Sequence, residues 1–193
     1  MMGRQKEFNR DEVLMKAMQT FWCYGYEGTS IQTLVDKMGI NRGSLYDTFG
    51  DKQSLFHEAI AYYDSRLVAP MISKLEADDA SKQTIVDIFY GMIDSAVTDE
   101  DRKGCLVTNT AVELGGNNPE SAKQIAAKIQ GIENALEKAL TTAQEKGEIN
   151  QKHDCTAVAR FLTCCLQGLR VVSKVNPDRK ALQDIAKMAL SVL

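Results

Sequence analysis

The sequence contains little proline, little histidine and few signs of β-structure. Only three prolines and two histidines occur among its 193 residues. Apolar residues recur at helical spacing between the prolines, and no stretch alternates apolar and polar residues as a half-buried strand does. We found no internal repeat and no low-complexity segment. The pattern predicts an all-α protein of about nine helices.

The five cysteines are odd in number and irregularly spaced, and no Cys-x-x-Cys pair occurs. This argues against a disulfide framework and against a structural zinc site. We therefore expect a reducing compartment, the cytoplasm, and neither a metal nor a cofactor. The formal net charge of −3 excludes a generally basic nucleic-acid coat protein.

Long apolar runs are also missing. The longest mostly apolar stretch, Phe161 to Val172, is interrupted by Gln167 and Arg170 and looks too short to cross a bilayer. The chain does not open with a charged and then apolar leader. We therefore expect neither secretion nor a membrane partner.

Signatures of catalysis are lacking too. His57 and His153 show no context of a base beside a nucleophile. His57-Glu58 lacks the second histidine of a zinc protease, because position 61 is alanine. No phosphate-binding loop or dinucleotide fingerprint occurs, so we do not expect an enzyme.

Two short helices joined by Gly39-Ile40-Asn41 are typical of a helix-turn-helix. Asn9 is expected to cap the helix before them, with Glu12 at capping-box spacing. These elements predict a helix-turn-helix domain in residues 1–52 and a larger helical domain in residues 53–193.

The helix from Arg42 to Phe49 is the candidate reading element. Its inward residues are expected to be Leu45 and Phe49, which leaves a hydrophilic edge for solvent or DNA. Acidic and basic residues are equal in number over residues 1–52, and only the leading tail is locally basic, through Arg4, Lys6 and Arg10. From the residues alone, a DNA-binding domain and a helical adaptor that binds protein both remain open.

Three motifs resolve this by resemblance. Gly25-Tyr26-Glu27-Gly28-Thr29-Ser30-Ile31, Met38 to Tyr46, and Phe49-Gly50-Asp51-Lys52 to Phe56 resemble the DNA-binding domain of the TetR/AcrR family. The resemblance implies a one-component bacterial regulator, usually a repressor, that binds palindromic operator DNA as a homodimer. The DNA contacts that it implies are Thr29, Ser30, Arg42, Gly43, Ser44, Tyr46, Thr48 and Lys52. Thr48 replaces a histidine that many members carry, and Asp47 adds a negative charge, so the base preference is left open.

The larger domain ends in two long helices. The helix that begins near Asp154 is apolar nearly all round, and the last one follows Asn176-Pro177. In the family these two helices pair with their copies to form a four-helix dimer interface. A buried core within one chain would explain the same apolar pattern.

Cys105 is a candidate regulatory residue. It opens a short helix beside Arg102 and Lys103, and helix N-termini and cations lower the pKa of a thiol. The segment Gly104 to Leu114 resembles one found in several family members, including the electrophile-sensing repressor of N-ethylmaleimide reductase. The resemblance implies a sensor at Cys105 and a partner at Lys174. The alternative is that Cys105 is a small packing residue.

A small-molecule inducer is the remaining expected partner. Its pocket should lie among the middle helices, where Arg170 on an apolar helix indicates either an anionic ligand or a buried ion pair. The expected lining residues are Tyr62, Tyr63, Phe89, Tyr90, Met92, Thr108, Asn109, Phe161 and Arg170.

Overall fold

A computed structural model describes residues 8–152 and 154–193. Over these residues the chain is helical without strands, which confirms the all-α prediction. The ten α-helices are α1 (Arg10–Tyr24), α2 (Ile31–Met38), α3 (Arg42–Phe49), α4 (Lys52–Tyr63), α5 (Ala69–Leu75), α6 (Lys82–Thr98), α7 (Leu106–Leu114), α8 (Pro119–Glu145), α9 (Cys155–Val175) and α10 (Arg179–Leu190). The basic tail at Arg4 and Lys6, and also His153, lie outside the described residues.

The helix count exceeds the expected nine at one place. A π-helical segment, Asp64–Val68, joins α4 directly to α5. Pro70 lies in the first turn of α5, where its missing amide costs nothing. The sequence predicts one helix running toward Pro70, with a kink or an end at that proline.

Side-chain caps define most helix starts. Asn9, Asn41 and Asn118 accept hydrogen bonds from the first turns of α1, α3 and α8, as their sequence positions predict. The start of the last helix is different: Asp178, rather than Asn176-Pro177, caps α10.

The first compact unit ends at Arg66. In it α1 packs against α2 and α4, around a cluster in which the Phe56 ring lies 4.9 Å from the rings of both Phe21 and Tyr26. Because Leu55 and Ile60 of α4 are also fully buried, α4 belongs to this unit. The boundary therefore falls later than the one expected between residues 52 and 53.

The second compact unit begins at Leu67. Here α8 packs along α9 and also contacts α5, α6 and α7, while α6 and α9 contact α10. The core contains apolar side chains from each of these long helices. Among them are Phe89, Ile93, Leu136, Leu140, Leu162, Leu166 and Leu182.

Helix α9 has two different apolar faces. Ala159, Leu162, Leu166 and Leu169 are buried in the core. A second row is exposed and follows the alternating spacing of four and three residues that characterises a coiled-coil seam. This row, called the α9 seam below, consists of Ala157, Phe161, Cys164, Gly168, Val171 and Val175.

The length of α9 corrects the expectation that no segment could span a bilayer. Among the described residues, α9 is the one helix long and apolar enough to do so by length and composition. The mostly apolar stretch from Phe161 to Val172 is shorter than the helix that contains it, which extends from Cys155 to Val175. A core helix of a soluble protein passes the same test.

Candidate functional site

The helix-turn-helix is held by local hydrogen bonds. Ser30 caps α2 by accepting a hydrogen bond from the Thr33 amide at 3.0 Å, and Asn41 caps α3 by accepting one from the Ser44 amide at 2.8 Å. Between the helices, Gly39 has φ 71°, a left-handed conformation that side chains disfavour. The turn between α2 and α3 is therefore fixed at both ends.

The orientation of α3 matches the predicted edge. Leu45 is 0% exposed and Phe49 is 4% exposed, and together they hold the helix against the unit. On the opposite side Arg42 and Gly43 are exposed, and Tyr46 is 43% exposed. Ser44 and Thr48 are half-buried, while Asp47 is exposed.

Gly43 allows a close approach at the start of α3. A Cβ atom at this position would lie 3.2 Å from Oδ1 of Asn41, the atom that caps the helix. A larger residue would therefore disturb the cap as well as cover the first turn.

Lys52 has an aromatic support that the sequence analysis missed. Its Nζ lies 4.2 Å from the centre of the Tyr26 ring, a cation–π contact. The adjacent Asp51 caps α4, and hydrogen bonds from Ser54 lower the pKa of the Asp51 carboxyl. These contacts fix the position of Lys52 at the start of α4. Tyr26 and Lys52 both stand in the resembled motifs, but nothing in the sequence indicates that they meet.

Phe49 is covered by a second cation. The Arg10 guanidinium lies 5.0 Å from the centre of the Phe49 ring, and it also donates to the Glu58 carboxylate at 2.6 Å. This contact ties the start of α1 to the end of α3 and to α4. These two contacts hold the Arg10 side chain within the first unit.

Thr29 differs from the expectation. Its side chain is 0% exposed, its hydroxyl donates to the carbonyl oxygen of Gly25 at 2.6 Å, and its amide donates to the Tyr26 carbonyl. Thr29 therefore closes the loop before α2 and does not present a hydroxyl to a phosphate. Its neighbour Ser30 is exposed.

Around Cys105 the structure brings together several of the predicted residues. Cys105 is 4% exposed and is the N-cap residue of α7. The Lys174 stem packs against Gly104: a Cβ there would lie 2.8 Å from its Cγ and Cδ atoms. Lys174 Nζ donates to Asn109 Oδ1 at 3.3 Å, so Lys174 lies along the first turns of α7.

Lys103 has a different role from the one expected. Its Nζ lies 2.7 Å from Asp99 and 3.0 Å from Asp101. Burial raises the pKa of Asp99, but the hydrogen bonds and charge of Lys103 outweigh burial and lower it. The same hydrogen bond raises the pKa of Lys103. The positive charge of Lys103 is therefore paired with carboxylates of the loop that precedes Cys105.

Comparisons with known protein families identify the helix-turn-helix and the helical domain that follows it. Residues 13–59 match the family described as "Bacterial regulatory proteins, tetR family". Residues 81–189 match "Tetracyclin repressor-like, C-terminal domain". The chain is 38% identical over 193 residues to the HTH-type transcriptional regulator YezE of Bacillus subtilis (strain 168), with both chains covered completely.

The chain belongs to the TetR family. It is also 31% identical to the HTH-type transcriptional repressor ComR of Escherichia coli (strain K12), over 97% of this chain and 90% of that protein. TetR-family proteins are transcriptional regulators and typically dimers. This TetR-family chain is a DNA-binding transcriptional repressor whose partner is operator DNA.

Solved structures support this conclusion. A cysteine mutant of the TetR-family regulator CifR, complexed with 26-bp operator DNA, has a TM-score of 0.86 and 28% identity, with 98% of each chain covered. The reduced form of E. coli NemR has a TM-score of 0.79 at 16% identity, covering 93% of this chain and 94% of that one. The NemR likeness shows the fold alone.

The residues expected to line an inducer pocket are divided between the two compact units of this repressor. Tyr63 is buried edge-on against Trp22 in the first unit, with ring centres 4.9 Å apart, and Tyr62 lies under Arg66 there. Phe161 is 46% exposed and is part of the α9 seam. The others lie on helices of the second unit, namely Phe89, Tyr90 and Met92 on α6, Thr108 and Asn109 on α7, and Arg170 on α9.

Proposed function

We propose that the repressor reads its operator through the exposed edge of α3. The observation that carries this proposal is the exposure of Arg42, Gly43 and Tyr46 opposite the buried pair Leu45 and Phe49. Arginine forms bidentate hydrogen bonds with guanine in the major groove. Gly43 allows the α3 backbone to approach the DNA.

The neighbouring polar groups fit phosphate contacts. Ser30 is exposed at the start of α2, and Lys52 begins α4. Ser44 and Thr48 are half-buried beside the α3 edge and provide hydroxyls. Such contacts set the position of a protein on DNA without selecting its sequence. Thr29 has no part in this surface, because its side chain is buried.

Arg42→Ala should weaken specific operator binding by about 1–3 kcal/mol and relax the preference at one base position in each half-site. The reason is the loss of a bidentate base contact. Fluorescence anisotropy with operator and scrambled DNA across a salt series measures both effects.

Lys74→Ala is the control for this experiment, because Lys74 is an exposed cation on α5, away from α3 and from the proposed dimer helices. It should leave operator binding unchanged. Equal losses in the two variants, or an unchanged base preference in Arg42→Ala, would show that Arg42 does not read a base.

We also propose that two copies join through α9 and α10. The α9 seam supports this, because it is an exposed row of apolar and small residues with coiled-coil spacing. Ile185 and Met188 extend the apolar surface on α10, where they are exposed. Two α3 helices related by a two-fold axis would read half-sites about 34–36 Å apart.

Val171→Lys should convert dimer to monomer at micromolar concentration, because it buries an unpaired charge in the seam. We expect the dimer dissociation constant to rise at least about tenfold. Sedimentation equilibrium measures it. Val112→Lys is the matched control, since Val112 is an equally apolar residue, 80% exposed on α7. Identical behaviour of the two variants would place the interface elsewhere.

Release from the operator is proposed to follow a small-molecule inducer or modification of Cys105. The position of Lys174 along the first turns of α7 supports the second route. A cation beside a helix N-terminus stabilises a thiolate. Since Cys105 is 4% exposed, a small oxidant such as hypochlorous acid should reach it faster than a bulky alkylating agent.

The remaining cysteines are weaker candidates. Burial, with a contribution from Cys164, raises the pKa of the Cys165 thiol, which lowers its reactivity. Cys164 is exposed within the α9 seam, so its modification would act on the dimer. We place the protein in the cytoplasm, acting on DNA without catalysis of its own.

Cys105→Ser should abolish release of operator DNA by hypochlorite, while Cys23→Ser, which changes an exposed cysteine of α1, should not. Gel-shift titration with oxidant gives the response of each variant. If Cys105→Ser still responds and Cys164→Ser does not, the sensor lies in the dimer seam and the proposal for Cys105 is wrong.

A further inference from the structure

A polar stripe runs along α9 on a different side from the α9 seam. It consists of Thr163, Gln167, Arg170 and Lys174, spaced by four, three and four residues. Residues at this spacing lie on one side of a helix. We call this row the α9 polar stripe.

Contacts show that the stripe faces the first turns of α7. Thr108 donates its hydroxyl hydrogen to Gln167 Oε1, and Lys174 Nζ donates to Asn109 Oδ1. The Arg170 carbonyl oxygen lies 3.2 Å from the position of a Cβ on Gly104. Arg170 therefore lies between two residues that bond α7.

The stripe carries two cations and no carboxylate. Arg170 and Lys174 form no ion pair with any residue of 8–152 or 154–193, whereas Arg160 on the same helix pairs with Glu133 at 3.1 Å. Both stripe cations are only half-exposed. Arg170 and Lys174 lie one turn apart on α9, so an anion bound beside both would be attracted by two positive charges.

Helix α7 adds a positive end to this region. Its first backbone hydrogen bond runs from the Asn109 amide to the Cys105 carbonyl at 2.8 Å. The amides of Leu106 to Thr108 therefore come before the first hydrogen bond of the helix. Such amides, with the helix dipole, favour a bound anion.

Thr163 provides an independent sign of an unmet hydrogen-bonding group on the α9 polar stripe. It is 3% exposed, and within the described chain its hydroxyl has no hydrogen-bond partner. A buried hydroxyl left unpaired is destabilising. It lies one turn from Gln167 on the α9 polar stripe, next to the residue that bonds α7.

We propose that the region between the α9 polar stripe and the first turns of α7 binds the oxyanion of a small effector, a carboxylate or a phosphate. Arg170 and Lys174 neutralise the anion, and Thr163 with Gln167 hydrogen-bonds the polar part of the ligand. The inference rests on the proposed function, because it names the chemical class of the inducer. The bound anion also shields Cys105 from small oxidants.

The test uses the full-length wild-type protein with sodium phosphate and sodium benzoate as probes, at ionic strength held constant with sodium chloride. Isothermal titration calorimetry should give saturable binding of at least one probe. Arg170→Gln and Lys174→Gln should each weaken it at least about tenfold. Arg160→Gln, which removes one cation elsewhere on α9, should leave it unchanged.

Two readouts separate this inference from the proposed function. The same probe should slow labelling of Cys105 in the wild type, measured by mass spectrometry, but not in Arg170→Gln. Absence of saturable binding by both probes, or equal weakening in Arg160→Gln, overturns the anion site. Operator binding by the unliganded wild-type protein is measured in parallel. If the unliganded protein does not bind the operator, the proposed function is contradicted instead.

Discussion

The burial of Leu45 and Phe49 fixes the rotation of α3 about its own axis, and the reading of DNA depends on that rotation. A two-residue anchor suffices because α3 is short and is capped by Asn41 at its start. The Arg10 guanidinium covers Phe49 from the side of α1. Arg42 and Tyr46 are thus directed outward by packing rather than by charge, which agrees with the balanced charge of residues 1–52.

Helix α9 connects the other functions through its separate faces. Leu162, Leu166 and Leu169 hold it in the core, the α9 seam offers an apolar surface to a second copy, and the α9 polar stripe faces α7. A change at Cys105 or in the stripe therefore acts on the helix that carries the proposed dimer contact. This gives a physical route by which ligand binding and DNA binding become coupled.

The sequence predicts local features of this protein well and long-range placement poorly. Capping residues, Gly39 and the inward side of α3 follow from patterns within one or two turns. An apolar residue at helical spacing does not reveal which neighbour covers it, and so the sequence does not indicate that Tyr63 packs against Trp22 or that Phe161 is exposed. The sequence pattern places the Thr29 hydroxyl at the surface, whereas the fold of the loop directs it to the Gly25 carbonyl. The support of Lys52 by Tyr26 joins positions far apart in sequence, and only the tertiary structure shows it.

The most direct test of the account is selection of bound fragments from a random pool of double-stranded DNA. A two-fold symmetric repressor that reads through α3 should enrich a palindrome whose half-sites are centred about one helical turn apart. Enrichment of a single half-site without symmetry, or of no sequence at all, would contradict the account.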